Sequence, residues 1–227
     1  MGMGNDNIAN DVFNRTAVDG EVLSDGAYNL AMGAVLCWGF LVNWWMVKNI
    51  PVEVIAGVNP WVFLVGYFAS CFLGVYLFNS SKSALVSFLG YNLVVVPFGF
   101  IINVVVARYD TSLVLEAMRI TGTVTLGMMV LGSMFPAFFR RIAGALTAAL
   151  VLVIIVELVD VFVLHKQHGI IDWIVVFIFC GYVGYDWGRA NNIPKTLDNA
   201  VDSAAALYMD IINLFLRILR ILGRRRR

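Results

Sequence analysis

The chain has 227 residues, 60% of them hydrophobic and only 14% charged, against about 45–50% and about 25% in ordinary soluble domains. This composition, with a mean hydropathy of +0.83, excludes a soluble domain and requires an integral membrane protein. The formal net charge of +1 points to no particular partner, and no nucleic-acid partner is expected. The two ends differ in sign: Asp6, Asp11, Asp19, Glu21 and Asp25 stand against Arg15 alone in residues 1–25, whereas Arg224, Arg225, Arg226 and Arg227 close the chain.

A spanning helix needs about 20 mostly apolar residues. Seven such runs follow one another, at 27–47, 60–79, 83–107, 112–134, 142–164, 169–188 and 197–222. The predicted fold is therefore an all-α, seven-transmembrane-helix bundle over residues 26–222, between an acidic polar tail at 1–25 and a basic tail at 223–227. No basic stretch with an apolar core and cleavage site opens the sequence, so insertion is expected to rest on the first spanning helix. The breaks KNIPVE, NSSKS, ARYDTS, FRR, HKQHG and RANNIPKT are too short to hold a soluble domain. In the third run Pro97 and Gly99 are expected to kink the helix, which is tolerated where a neighbour or water satisfies the carbonyl that the proline frees. Pro136 is expected to end the fourth helix.

Lysine and arginine divide almost evenly between the two faces of the membrane. Arg220 and the four terminal arginines tip the count and place the C-terminus in the cytoplasm, where the tail anchors topology and meets anionic lipid. A bacterial inner membrane and a eukaryotic endomembrane both fit.

Cys37, Cys71 and Cys180 lie in apolar runs without metal-ligand spacing, and are expected to be small buried packing residues. His165 and His168 fall in a short polar connection. With no His/Cys cluster, no Gly-rich phosphate loop, no GxSxG and no nucleophile that pairs with a base, neither an enzyme nor a permanently bound cofactor is expected.

Ionisable residues inside the spans are functional candidates by default. Glu116 and Arg119 stand one turn apart, as a local ion pair would. Asp172 sits near a helix start, where it meets the helix dipole. Glu157 and Asp160 share a face and repel unless one is protonated or a cation intervenes. In the last run Asn199, Asp202, Ser203, Ala206, Asp210, Asn213 and Arg217 form one stripe at helical spacing, which puts that helix at the centre of the bundle or along a wet cavity. Asp186, in GYVGYDWGRA, ends the preceding run. If Asp186 and Asp210 meet in a dry site, they cannot both ionise easily, and a shared proton makes the pair a latch.

YD at 185–186 followed by LYMDIINLFLRILRILG at 207–223 closely resembles the C-terminal signature of the transmembrane Bax inhibitor motif family, and VLEA at 114–117 is similar to that family's entry to helix four. The resemblance implies a seven-helix bundle with the seventh helix central, and a pH-sensitive calcium leak gated by a di-aspartyl sensor, Asp186 and Asp210. The same two acids would meet calcium transiently as the transported ion. Glu116, Glu157, Asp160, Asn213 and Arg217 are candidates for the ion path or its network, since calcium takes oxygen ligands. The family's basic latch residue at the end of helix two falls at Asn79 here, with Lys82 one turn on, so that either a neutral bond from Asn79 or the flexible stem of Lys82 takes its place. Relatives are linked to stress tolerance and, in eukaryotes, to suppression of cell death. Two other readings stay open at this level: a regulator that binds a membrane protein partner without conducting ions, and a proton-coupled transporter.

Overall fold

The computed structural model describes residues 21–160 and 169–225. Most of the acidic tail, His165, His168, Arg226 and Arg227 lie outside the described residues. Among those described are eight helices and no strand: α1 (Asp25–Asn49), α2 (Val52–Ala56), α3 (Pro60–Ser80), α4 (Ala84–Val106), α5 (Thr111–Met134), α6 (Pro136–Val159), α7 (Gly169–Ala190) and α8 (Leu197–Arg225). The seven apolar runs correspond to α1 and α3 to α8, and α2 is a short addition within the KNIPVE break. Six helices, α1 and α3 to α7, are long and apolar enough to cross a membrane. α8 has 29 residues, about 44 Å at the α-helical rise, but its acids and arginines set it apart from those six.

The fourth spanning helix, α5, ends at Met134 as expected ahead of Pro136, and Pro136 also begins the next helix. At the first helical position a proline gives up only an N–H that has no partner within the helix, and Phe135 alone separates α5 from α6. The FRR segment, expected as a connection, forms the opening turns of α6, with Phe139 buried and Arg140 and Arg141 exposed.

The chain divides into two compact units, one made of residues up to 108 with 190–208, the other of 109–189 with the residues from 209 onward. α8 contributes its N-terminal part to the first and the remainder to the second. In the first unit several helix ends are closed by side chains. Ser24 accepts the Ala27 N–H at 3.3 Å, and Asn59 accepts the Trp61 N–H at 2.9 Å ahead of Pro60. The last carbonyls of α1 receive Asn103 from α4, 2.9 Å to Ile50 and 3.3 Å to Met46. These caps satisfy backbone groups that hydrocarbon cannot. Pro97 leaves α4 helical throughout, and the carbonyl its missing N–H would have bonded, that of Leu93, accepts the Ser70 hydroxyl of α3 at 2.7 Å. α3 and α4 meet backbone to backbone: a Cβ on Gly74 would stand 2.5 Å from the Gly90 carbonyl oxygen, and one on Gly90 2.7 Å from that of Gly74.

The second unit uses the same device. A Cβ on Gly188 of α7 would lie 2.6 Å from the Gly132 carbonyl oxygen of α5, and one on Gly132 would run into the Gly184 carbonyl. Phe139 covers Gly184, and Leu146 covers Gly181, so α6 packs on α7 through side chains that fill glycine gaps. α8 is buried along nearly its whole length, with Leu207, Tyr208, Leu214 and Leu219 fully covered. Its apolar residues therefore mostly face packed neighbours, in keeping with the interior position expected of the last helix.

The cysteines depart from expectation. Cys37 is exposed, and Cys71 and Cys180 are partly so. Within a bilayer a small apolar thiol has no need of protein cover, because the surrounding phase is itself apolar.

The helix contact at Gly90 sets a measurable cost. Gly90→Leu should lower the thermal midpoint in detergent, with overpacking worth about 1–3 kcal/mol. Gly33→Leu on α1, where a Cβ meets nothing within 4 Å, should leave it nearly unchanged. Equal midpoints for the two variants would contradict the backbone contact.

Candidate functional site

α8 starts after Pro194 with Thr196, whose Oγ1 accepts the Asn199 N–H at 3.2 Å. Its first turns then carry polar side chains into the first unit. Asp198 accepts the Ser87 hydroxyl at 2.7 Å. The Tyr28 hydroxyl stands 3.1 Å from that of Ser203 and 3.3 Å from the Asn199 carbonyl oxygen. Asp202 is fully buried. Tyr208 closes this stretch, donating to Asn43 Oδ1 at 2.5 Å, while the amide nitrogen of Asn43 donates to the Val95 carbonyl.

Two residues further on, Asp210 belongs to the second unit, and there it meets Asp186 of α7. Both acids are buried, and their side chains come within hydrogen-bonding range of each other. The short connection between α7 and α8 makes the two helices antiparallel neighbours, which allows a residue near the end of one to reach the other. An ionised carboxylate only accepts hydrogen bonds, so a bond between two carboxyl groups contains a proton. Asp210 Oδ2 is buried without a hydrogen bond. Tyr182, whose hydroxyl donates to Thr147 Oγ1 at 3.0 Å, lies within electrostatic range of both acids. Tyr185 faces a different partner, hydrogen-bonding Arg189 one turn along α7 and taking its guanidinium over the ring at 5.1 Å.

The remaining stripe residues separate in role. Asn213 turns back on its own helix, donating to the Met209 carbonyl at 2.8 Å. Arg217 forms a two-pronged pair with Glu157 of α6, bonding Oε1 through Nη1 and Oε2 through Nη2 at 2.8 Å. Of the two ways expected to relieve Glu157 beside Asp160, one is present: a cation stands next to Glu157, an arginine of α8. Arg217 also reaches Asp172 of α7 at 3.1 Å. Arg220 lies 3.2 Å from Asp172, and Arg224 Nη1 2.9 Å from its other oxygen. Asp172 does occupy the first turn of α7, but it is also the hub of three arginines, with only 2% of its side chain exposed. Sequence reasoning missed that role. The available signal was the spacing of Arg217, Arg220 and Arg224, three and four residues apart on one helical face.

Asp160 is buried at the end of α6. Glu116 is partly buried and Arg119 exposed in the opening turns of α5. Asn79, partly buried in the last turn of α3, and Lys82, exposed before α4, belong to the first unit, whereas Asp186 and Asp210 belong to the second. Among the described residues no group of three or more histidine, cysteine or acidic side chains is arranged to hold a metal ion.

Fold and site together define a multi-pass α-helical membrane protein whose last helix carries buried acids and arginines. Residues 22–227 match the family described as inhibitor of apoptosis-promoting Bax1, and the chain belongs to that family. It is similar to an "uncharacterized membrane protein" of Vibrio cholerae, 28% identical over 175 residues, which are 74% of this chain and 77% of the relative. An "uncharacterized membrane protein" of Streptococcus pyogenes serotype M3 is 28% identical over 133 residues, covering 56% of this chain and 58% of the relative. A protein of Borreliella burgdorferi is 30% identical over 158 residues, 65% and 66% of the two chains.

Breaking a buried pair leaves its partners uncompensated, typically at about 3–5 kcal/mol. Asp172→Asn, which removes the charge common to three arginines, should lower the thermal midpoint in detergent by that order. Asp25→Asn, at the exposed Lys195 pair of 2.5 Å, should cost no more than about 1 kcal/mol. A similar loss in both variants would count against the hub.

Proposed function

We propose that the protein is a proton-regulated calcium leak, gated where Asp186 and Asp210 meet. The observation that carries this reading is the approach of two buried carboxyl groups on adjacent helices to within hydrogen-bonding range. While a proton is shared, the pair ties α7 to α8. When that proton leaves, two like charges remain; about 4 Å apart at an effective dielectric of 20, they repel by about 4 kcal/mol. That is comparable to what a helix contact contributes, so separation of α7 from α8 is the low-energy response. The freed carboxylates then offer a divalent cation the hard oxygen ligands calcium prefers. Two acids alone favour passage over storage, because resident calcium takes six to eight oxygens. Family membership supports this reading, and the arginine-rich C-terminus faces the cytoplasm in it.

The Arg217–Glu157–Asp172 network serves this scheme as a fixed end. It joins α6, α7 and α8 through charge-assisted bonds that need no shared proton, so the helices are free to part at the acids without losing their alignment.

The test is calcium flux into liposomes containing the purified protein across pH 5 to 8. Wild-type flux should rise with pH, and Asp210→Asn, which cannot exchange that proton, should lose the pH response. Absence of flux above empty liposomes at every pH would sink the leak and leave a regulator that acts by binding a membrane partner.

A further inference from the structure

Tyr182 stands four residues before Asp186 on α7, one turn away on the same helical face, and lies within electrostatic range of both Asp186 and Asp210. Its hydroxyl is nevertheless directed at α6, where it donates to Thr147 Oγ1 at 3.0 Å. Thr147 directs its own proton to the Ala143 carbonyl at 3.1 Å, which makes Tyr182 the donor and Thr147 the acceptor. The bond is neutral on both sides. Tyr182, Thr147, Asp186 and Asp210 all belong to the second unit.

The acid pair lacks what Tyr182 carries. Asp210 is only 7% exposed, and its Oδ2 accepts no hydrogen bond. A buried acceptor without a donor is costly, and more so when it is charged. The other polar and charged groups about these helices are engaged elsewhere or exposed. On α7 Arg189 is bonded to Tyr185, and on α8 Arg217 is held by Glu157 and Asp172. α6 meets Tyr182 with the neutral Thr147 and carries Arg140 and Arg141 exposed in its opening turns. α5 meets α7 at Gly132 and through Ser133, which accepts from Trp187 Nε1 at 2.8 Å. A phenol that donates to a carboxylate makes a charge-assisted bond, roughly twice as strong as a neutral one. Loss of the proton between Asp186 and Asp210 therefore tips the hydroxyl from Thr147 toward the acids.

We propose that Tyr182 is a positioning residue of the acid pair, whose hydroxyl leaves Thr147 for Asp210 Oδ2 when the shared proton leaves and returns when that proton is restored. A tyrosine is a longer arm than an aspartate, so α7 and α8 can stand further apart at the acids and still keep one bond between them. This inference rests on the reading of the pair as a proton-regulated gate, and it brings α6 into that gate through Thr147.

Two variants delete the same bond and are expected to act in opposite directions. Tyr182→Phe removes the donor that the ionised pair would gain, so proton release should move up by about one pH unit, a tenfold change in proton affinity. Thr147→Val removes the partner that the hydroxyl must give up, so release should move down. Thr147→Ser keeps the acceptor and should titrate as the wild type does. The readout is the infrared carbonyl band of the protonated pair, in full-length protein reconstituted in liposomes, followed across pH 5 to 8 and assigned by its loss in Asp210→Asn. Calcium flux is measured on the same vesicles. Opposite shifts of the band support the role of Tyr182 whether or not calcium crosses, because absence of flux counts against the leak alone. A bond that serves only to pack α6 on α7 moves both variants alike. Shifts in the same direction, no shift in either variant, or a band that does not change over this range would overturn the role, even with pH-dependent flux intact.

Discussion

A charge inside a hydrocarbon layer has no water to turn to, so the protein must supply its partner. Here the requirement falls mostly on α8, which carries acids toward its start, Asp210 mid-length and arginines toward its end. Several of these groups are met by side chains that different elements bring to them: Ser87 for Asp198, Asp186 for Asp210, Glu157 and Asp172 for Arg217. Within each unit these contacts gather the polar atoms of α8 inside. α6 shows the consequence. Little of it is buried in the protein, yet the one acid it directs at Arg217 ties its end to α8.

The two kinds of polar contact differ in what they tolerate. Arg217 with Glu157 and Asp172 is a pairing of opposite charges, complete without any shared proton and directional through the planar guanidinium. Asp186 with Asp210 is a pairing of like groups, which holds only with a proton between them. One helix therefore carries a permanent fastening and a conditional one less than two turns apart.

Much of the fold was legible because membrane insertion imposes a length and an apolarity that any spanning segment must show. The seven runs emerged within a few residues of α1 and α3 to α8. Local chemistry was harder to read. Pro136 marks the end of one helix in sequence, but that it also starts the next, with Phe135 filling the whole gap, was not legible there. The five-residue α2 is too short for periodicity to separate from the break around it. The cysteines were assigned to the interior by a rule from soluble proteins, which fails where the exterior is also apolar. At the site, the Asp186–Asp210 meeting was suggested by the family signature and by helix order, whereas the convergence on Asp172 required three dimensions. Its partners come from forty-five to fifty-two residues away, and nothing near Asp172 in the chain announces them.

The density of the LYMDIINLF segment follows from the same geometry. Leu207 and Leu214 are fully buried, Tyr208 is bound to Asn43, Asp210 to Asp186, and Asn213 to its own helix at Met209. In a lipid-facing helix most positions accept any apolar residue, since hydrocarbon does not distinguish leucine from valine. A helix surrounded by protein has no such freedom, because each side chain must match a neighbour in shape or in hydrogen bonding. The specificity of this segment and the burial of α8 are thus two expressions of one constraint, and the loosely patterned, lipid-exposed α6 shows what the sequence looks like where that constraint is absent.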